Sequence, residues 1–254
     1  LNKFTEFYLP SAQEINTVTF GQVKLARDRI YGTMDDINLL RQTVTIDRIK
    51  GILGDLPRHS VIRYINNGTL TDAYFADAEA SLDDENIYII VSSTGSDVSE
   101  VLSVFTRKQY NHASLSFDKD LNTIISYNGG EKVYPPGLNK EMIEFFNKKK
   151  DASMMVYSLK ATREQKRLII DRIREINEKG SAYNMLGFVF NNSMRPNIMF
   201  CSQFVYSTLK YAGLAYFEKI DGRVIPTDLV ELDYHRKLKF SYEIFLNEYE
   251  ARID

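Results

Sequence analysis

The chemistry in this 254-residue chain starts from one cysteine, Cys201, and three histidines, His59, His112 and His235. A thiol attacks a carbonyl when a base within hydrogen-bond reach takes its proton and a third group orients that base. The partners need not be close in sequence, because the fold brings them together. Cys201 lies in Ile198-Met-Phe-Cys-Ser-Gln-Phe-Val-Tyr-Ser-Thr-Leu-Lys-Tyr-Ala-Gly-Leu214. Val205, Leu209 and Ala212 fall on one helical face, and Gly213 supplies a stop. The cysteine is therefore expected at or just inside a helix N-terminus, where unpaired backbone N–H groups stabilise negative charge on sulfur. A lone cysteine is also commonly a small buried hydrophobe, so this stretch alone leaves both roles standing.

His112 opens a run in which Ala113, Leu115 and Phe117 alternate with His112, Ser114 and Ser116. That alternation predicts a strand with one apolar and one polar face, the histidine on the polar one. Lys119-Asp120 reads as a turn, and Thr123–Asn128 as the antiparallel partner strand ended by Gly129-Gly130. Such a hairpin sets Ser126 and Asn128 on a common face beside the histidine, where either could orient the ring. No acidic residue stands out as a third member. His59, in Asp55-Leu-Pro-Arg-His59, reads as an ordinary loop or hinge residue. His235 lies in a charged segment without a candidate partner.

The elements that must position this pair divide the chain in two. Residues 1–84 read as a helical extension packed on the main domain, punctuated by Gly32, Gly51, Gly54 and Pro57 and by the turn Asn66-Asn67-Gly68. The alternative is a small separate domain. Residues 85–254 form the main domain. Ile87–Val91 is an apolar strand, followed by the loop Ser92–Ser96 and a helix from Asp97. The loop lacks the glycine spacing and Gly-Lys-Ser/Thr ending of a phosphate-binding loop. After Pro135-Pro136-Gly137, the residues Leu138, Met142, Phe145 and Phe146 suggest a short helix. Met154–Leu159 is a strand. Thr162-x-x-Gln165 is a capping box opening an amphipathic helix through Ile169, Ile173 and Ile176 to Gly180. Pro226-Thr-Asp-Leu229 is a proline-led turn, and Lys237–Ile244 contains a last strand.

Composition narrows the function classes. A hydrophobic share of 44% permits a sizeable core, and a net charge of −2 advertises no polyanion or nucleic-acid partner. One cysteine excludes an internal disulfide and a multi-thiolate metal site. No cofactor or metal is expected. No apolar run reaches the roughly 18 residues of a membrane span. The opening Leu-Asn-Lys-Phe-Thr-Glu shows neither a signal pattern nor a starting methionine, which suits a processed or trimmed end.

His112 at a strand start, Tyr183-Asn184, and Phe200-Cys-Ser-Gln-Phe-Val205, taken in that order, resemble the permuted NlpC/P60 group of papain-like cysteine peptidases and amidases, in its YiiX/YycO-like branch. The likeness covers about residues 85–232, and Pro226–Leu229 is similar to a proline-containing stretch after the cysteine helix of that group. It implies an α+β, circularly permuted papain-like core carrying the N-terminal helical extension. It makes Cys201 the nucleophile and His112 the base, with a polar residue on the following strand, here Ser126 or Asn128, as the orienting group. Some relatives place a glutamate there. Tyr183 would border the groove or assist the oxyanion site, and Ser202 would lie in the same region. The implied activity is hydrolysis of an amide or ester in a cell-wall peptide or other small acyl substrate, with acyl transfer open. A non-catalytic peptide- or acyl-binding protein on the same scaffold is the alternative. The likeness implies a bacterial setting, with cytoplasm and cell envelope both open.

Overall fold

β2, His112–Ser116, lies near the middle of a six-stranded antiparallel sheet in the order β4-β3-β2-β1-β5-β8. Its companions are β1 (Asn86–Ser92), β3 (Ile125–Asn128), β4 (Gly137–Lys140), β5 (Ser153–Lys160) and β8 (Leu238–Phe245). The computed structural model describes residues 58–60, 62–93, 110–130, 134–146, 152–184 and 195–246. All of these fall within one compact unit, Ile46–Asp254. The expected helix from Asp97 and most of the N-terminal extension lie outside the described residues.

Strand alternation decides what each face of the sheet carries. Ile87, Ile89, Ala113, Leu115, Phe117, Ile125, Tyr127, Leu138 and Leu159 project to one side and are buried there. Among the described residues, helices α1 (Asp72–Ala80), α2 (Arg163–Lys179) and α3 (Cys201–Tyr211) share that core, joined by Leu229 of a single helical turn, Asp228–Glu231. The protein is therefore an α+β fold, with helices on an antiparallel sheet. On the opposite side Tyr88, Ile90, Met154 and Val156 join Ile124, Ile143 and Leu246 in a second, smaller cluster.

The helices begin and end where local chemistry dictates. Thr162 accepts from the Gln165 backbone N–H while the Gln165 side chain accepts from the Thr162 N–H, the reciprocal capping expected of that spacing. Ile169, Ile170, Ile173 and Ile176 form the buried stripe of α2. Beside them Lys166 is fully buried, its Nζ donating to the carbonyls of Ser81, Asp84 and Phe117. That ties α2 to the entry of β1 and the end of β2. α3 ends with Gly213 at φ +69°, where the Gly213 N–H donates to Lys210 and the Leu214 N–H to Leu209, a Schellman closure.

Of the expected extension, the described part begins at Arg58. Its helix α1 starts at Thr71, whose hydroxyl accepts from the Tyr74 N–H. Leu70, Tyr74, Phe75, Ala78 and Leu82 belong to the same core as the sheet. Asn66 forms an antiparallel bridge with Ser181.

One expected element is corrected. Residues 137–140 are a strand, not the start of a helix, and Ile143–Phe145 is a single 3-10 turn. β4 pairs with β3 from Asn128↔Gly137 to Ile125↔Lys140. Period 2 rather than period 3.6 governs here: Leu138 is buried on the apolar face, while Met142 is exposed. Gly137 sits at φ +148°, where a Cβ would meet Ser181 Oγ at 2.6 Å and the Asn66 Cβ at 2.8 Å. The strand thus begins at a close three-way contact that only glycine allows.

Candidate active site

The polar face of β2 and β3 carries a connected set of side chains. Register places Leu115 opposite Ile125, so His112, Ser114, Ser126 and Asn128 share the other face. The group that joins them is Glu141, one residue beyond β4. Its backbone N–H donates to the Ile124 carbonyl at 2.9 Å, extending the pairing, and its side chain turns onto the polar face. Glu141 Oε1 lies 2.8 Å from His112 Nε2 and accepts from Ser126 Oγ at 2.5 Å and Asn128 Nδ2 at 3.0 Å. Its Oε2 accepts from Ser114 Oγ at 2.6 Å.

Cys201 lies near the same ring, and with Glu141 it is one of the neighbours that favour the protonated imidazole. Nε2 is the ring nitrogen engaged by the carboxylate. Burial opposes the charged ring, but these two neighbours outweigh it and hold the His112 pKa well above the ordinary histidine value. Burial likewise opposes charge on Glu141. The His112 charge and the hydrogen bonds from His112, Ser114 and Ser126 prevail, and its carboxyl is held down at about 2. Each shift favours the charged form of its group, so the two reinforce one another as an imidazolium–carboxylate couple.

Two short elements aim the sulfur. β6 (Ala182–Tyr183) and β7 (Ile198–Met199) pair in parallel, Tyr183 opposite Met199, and the Asn184 N–H donates to the Met199 carbonyl at 2.8 Å. Phe200 and then Cys201 follow directly. Phe200 is the N-cap of α3 and places no side-chain cap over the helix start. The first-turn N–H groups and the helix dipole therefore point toward the sulfur region. α3 is anchored behind the cysteine by fully buried Phe204, Val205 and Leu209. Cys201 itself is only 1% exposed.

Tyr183 is also in the site. Burial first, then the charges of Cys201 and Glu141, raise its pKa well above the usual phenol value, so its hydroxyl keeps its proton. The His59 ring packs against it, centroids 5.9 Å apart and tilted by 58°. His59, expected to be an ordinary loop residue, thus reaches the border of the site. His235 is exposed.

The site differs from expectation at three positions. Ser126 and Asn128, expected to orient His112 themselves, direct their hydrogen bonds to Glu141 instead. The orienting acid is Glu141, which the sequence reading missed because the helical spacing of Leu138 and Met142 hid a strand. Read at period 2 from Gly137, Asn139 and Glu141 fall on the polar face, and that signal was present. Ser202, expected at the oxyanion region, is fully buried, with its hydroxyl donating to the Val224 carbonyl at 2.6 Å. Its side chain fastens α3 to the segment before Pro226, leaving its backbone N–H as its contribution near the site. Among the described residues no cluster of acids, histidines or cysteines is built to hold a metal ion.

No family model, curated protein or solved structure matches this chain. Among the described residues, no helix is long and apolar enough to cross a membrane.

Proposed function

We propose that this protein is a thiol hydrolase acting through a Cys201–His112–Glu141 triad. The observation that carries this reading is the buried His112 Nε2–Glu141 Oε1 contact at 2.8 Å, with Cys201 near enough to the same ring to bear on its protonation. In the proposed reaction the Cys201 thiolate, its proton held on His112, attacks an amide or ester carbonyl, and the carbonyl π electrons move onto oxygen. In this reading, backbone N–H groups at the start of α3 and the protonated Tyr183 hydroxyl stabilise that oxyanion. The tetrahedral adduct collapses, the His112 proton passes to the leaving amine or alkoxide, and a thioester remains on Cys201. Water, deprotonated by the now neutral His112, then attacks the thioester carbonyl, the C–S bond breaks, the acid leaves, and the Cys201 thiolate and His112 imidazolium are restored. Glu141 stabilises the imidazolium and keeps the ring oriented throughout.

The order of the residues also supports a permuted papain-like core. The histidine strand precedes the cysteine helix, and that helix packs on an antiparallel sheet with its N-terminus near the histidine. The resemblance to the permuted NlpC/P60 group points to cell-wall peptides or other small acyl amides as substrates. A non-catalytic binding protein on the same scaffold would have no need of a carboxylate on the histidine, so the Glu141 contact favours the hydrolase.

The test is acylation of Cys201. The full chain is mixed with cell-wall peptide fragments and, separately, with a short-chain acyl ester, and quenched samples are read by mass spectrometry. The expected result is an acyl increment on the Cys201 peptide, absent from Cys201→Ala and strongly slowed in His112→Ala. Absence of an adduct and of turnover with both substrates, together with a Cys201 alkylation rate unchanged by His112→Ala, would sink the reading.

A further inference from the structure

Behind Glu141 the polar face continues as three amide side chains joined end to end. Asn128 Nδ2 donates to Glu141 Oε1 at 3.0 Å. Asn139 Nδ2 donates to Asn128 Oδ1 at 3.0 Å. Asn66 Nδ2 donates to Asn139 Oδ1 at 2.9 Å. Asn66 and Asn139 are each only 2% exposed. Asn66 lies ahead of β1, outside the hairpin that carries His112.

The direction of this chain is set by backbone groups that can only donate or only accept. The Gly130 N–H donates to Asn128 Oδ1 at 2.9 Å, so the Asn128 amide must present its NH₂ to Glu141. The carbonyls of Pro135 and Gly137 accept from Asn139 Nδ2 at 3.0 and 3.3 Å, which turns Asn139 Oδ1 toward Asn66. The carbonyls of Leu138 and Pro135 accept from Asn66 Nδ2 at 3.0 and 3.2 Å, and Thr69 Oγ1 donates to Asn66 Oδ1 at 3.0 Å. Every amide has one allowed orientation, and each delivers N–H toward the carboxylate.

The same residue is tied to the other side of the site. The Asn66 N–H donates to the Ser181 carbonyl at 2.9 Å, and the Ser181 N–H donates to the Asn66 carbonyl at 2.8 Å. Ser181 is two residues before Tyr183, and its Oγ accepts from the Leu138 N–H at 3.0 Å. Nearby, Arg58 donates to the Gly130 carbonyl at 3.2 Å. The segment ahead of β1 therefore grips both the loop that orients Asn128 and the strand that places Tyr183.

We propose that Asn66 is a positioning residue for the Glu141–His112 pair, acting through Asn139 and Asn128, so that the segment ahead of β1 completes the active site. This rests on the triad reading above. Cutting the relay loosens Asn128, frees one face of the carboxylate, and weakens its hold on the imidazolium. The groups that face this couple are Cys201 from α3, Tyr183 from β6, and Ser114 and Ser126 from the sheet.

The test is an imidazole ¹⁵N titration of the full chain, read by NMR for wild type, Asn66→Ala, Asn139→Ala and Glu141→Gln. Exposed His235 serves as the internal control. Wild-type His112 should titrate above the ordinary value of about 6.5. Glu141→Gln should lower its midpoint most. Asn66→Ala and Asn139→Ala should each lower it by about half a unit, a fraction of one charge-assisted hydrogen bond. Adding Asn66→Ala to Glu141→Gln should move it no further, because both act on one link. If either relay variant keeps the native amide spectrum and leaves the His112 midpoint unmoved while Glu141→Gln lowers it, the relay is structural only and this proposal is wrong. If Glu141→Gln itself moves nothing, the triad reading fails first and carries the relay with it.

Discussion

One face of the sheet holds two regions of equal burial and opposite chemistry. Along a single row, β5 and β1 contribute Val156 and Ile90, and β2, β3 and β4 contribute Ser114, Ser126 and Asn139. The first four are 0% exposed and Asn139 is 2% exposed. The apolar half is held by shape and area removed from water. The polar half is held by Glu141, which accepts from Ser114, Ser126 and Asn128 and contacts His112. In the apolar half a lost methyl group costs in proportion to the cavity it leaves. In the polar half a lost group strands its partner in a dry site, where an unmade hydrogen bond is expensive. Buried polarity is therefore a better guide to the site here than burial.

The largest expected effects break the polar half at its reacting atoms. Cys201→Ala removes one sulfur atom and should abolish thioester formation, with the far-ultraviolet circular dichroism unchanged. His112→Ala should lower kcat/KM by about 10²–10⁴-fold, the range for a lost acid–base group. Glu141→Gln should fall in a similar range, since an uncharged neighbour no longer stabilises the imidazolium. Full turnover by His112→Ala on a substrate that acylates Cys201 would show that the base lies elsewhere.

The pH profile sharpens the same point. Loss of the imidazolium proton sets a descending limb of activity at high pH. Because Glu141 and Cys201 raise the His112 pKa, that limb should lie above the ordinary value of about 6.5, and Glu141→Gln should draw it downward. Stability follows the two shifts with opposite signs. The raised His112 pKa contributes stability that is complete below its unfolded value near 6.5 and is lost as pH rises through its folded value. The depressed Glu141 pKa contributes stability that is complete above its unfolded value near 4.3 and is lost as pH falls toward about 2. Thermal melts from pH 2 to 10 should therefore show the wild-type excess over a Glu141→Gln/His112→Gln double variant as greatest between about 4.3 and 6.5. An excess that stays constant over the whole span of the melts, with no fall at the acid or the alkaline end, would remove the linked pair.

Smaller effects separate the two halves. Ile90→Ala, on the apolar side of the row, should cost about 2–5 kcal/mol in denaturant unfolding and leave the His112 midpoint in place. Ser114→Ala and Ser126→Ala each remove one bond to a carboxylate that keeps others. Each should cost about 1–3 kcal/mol and reduce kcat/KM modestly, the activity loss exceeding that of Ile90→Ala at equal stability. Equal activity losses on the two sides would erase the distinction between them.

The local elements were legible because their causes are local. The patterns in His112–Phe117 and Thr123–Asn128, the Thr162–Gln165 box and the Gly213 stop each act within a few residues. The box and the stop appear where sequence placed them, and the strands form within the expected stretches, as His112–Ser116 and Ile125–Asn128. The polar face with Ser126 and Asn128 was also readable, as was the placing of Cys201 at a helix start. What they bond to was not. Glu141 lies 29 residues from His112, and Leu138 and Met142 happen to satisfy a helical spacing that hides β4. Only pairing with β3 chose period 2 over period 3.6 and turned the carboxylate inward.

The amino-acid sequence by itself determined the candidate cysteine and histidine, the strand and helix that bear them, and the polar face on which His112 sits, because side-chain period and capping are properties of short segments. Tertiary structure alone decided that the carboxylate on His112 is that of Glu141, that Ser126 and Asn128 bond to it rather than to the histidine, that Ser202 bonds to Val224, and that Asn66 reaches the same network from ahead of the sheet. Those choices depend on strand register and on which buried donors find acceptors across 11 to 73 residues of chain, and no local pattern encodes such pairings.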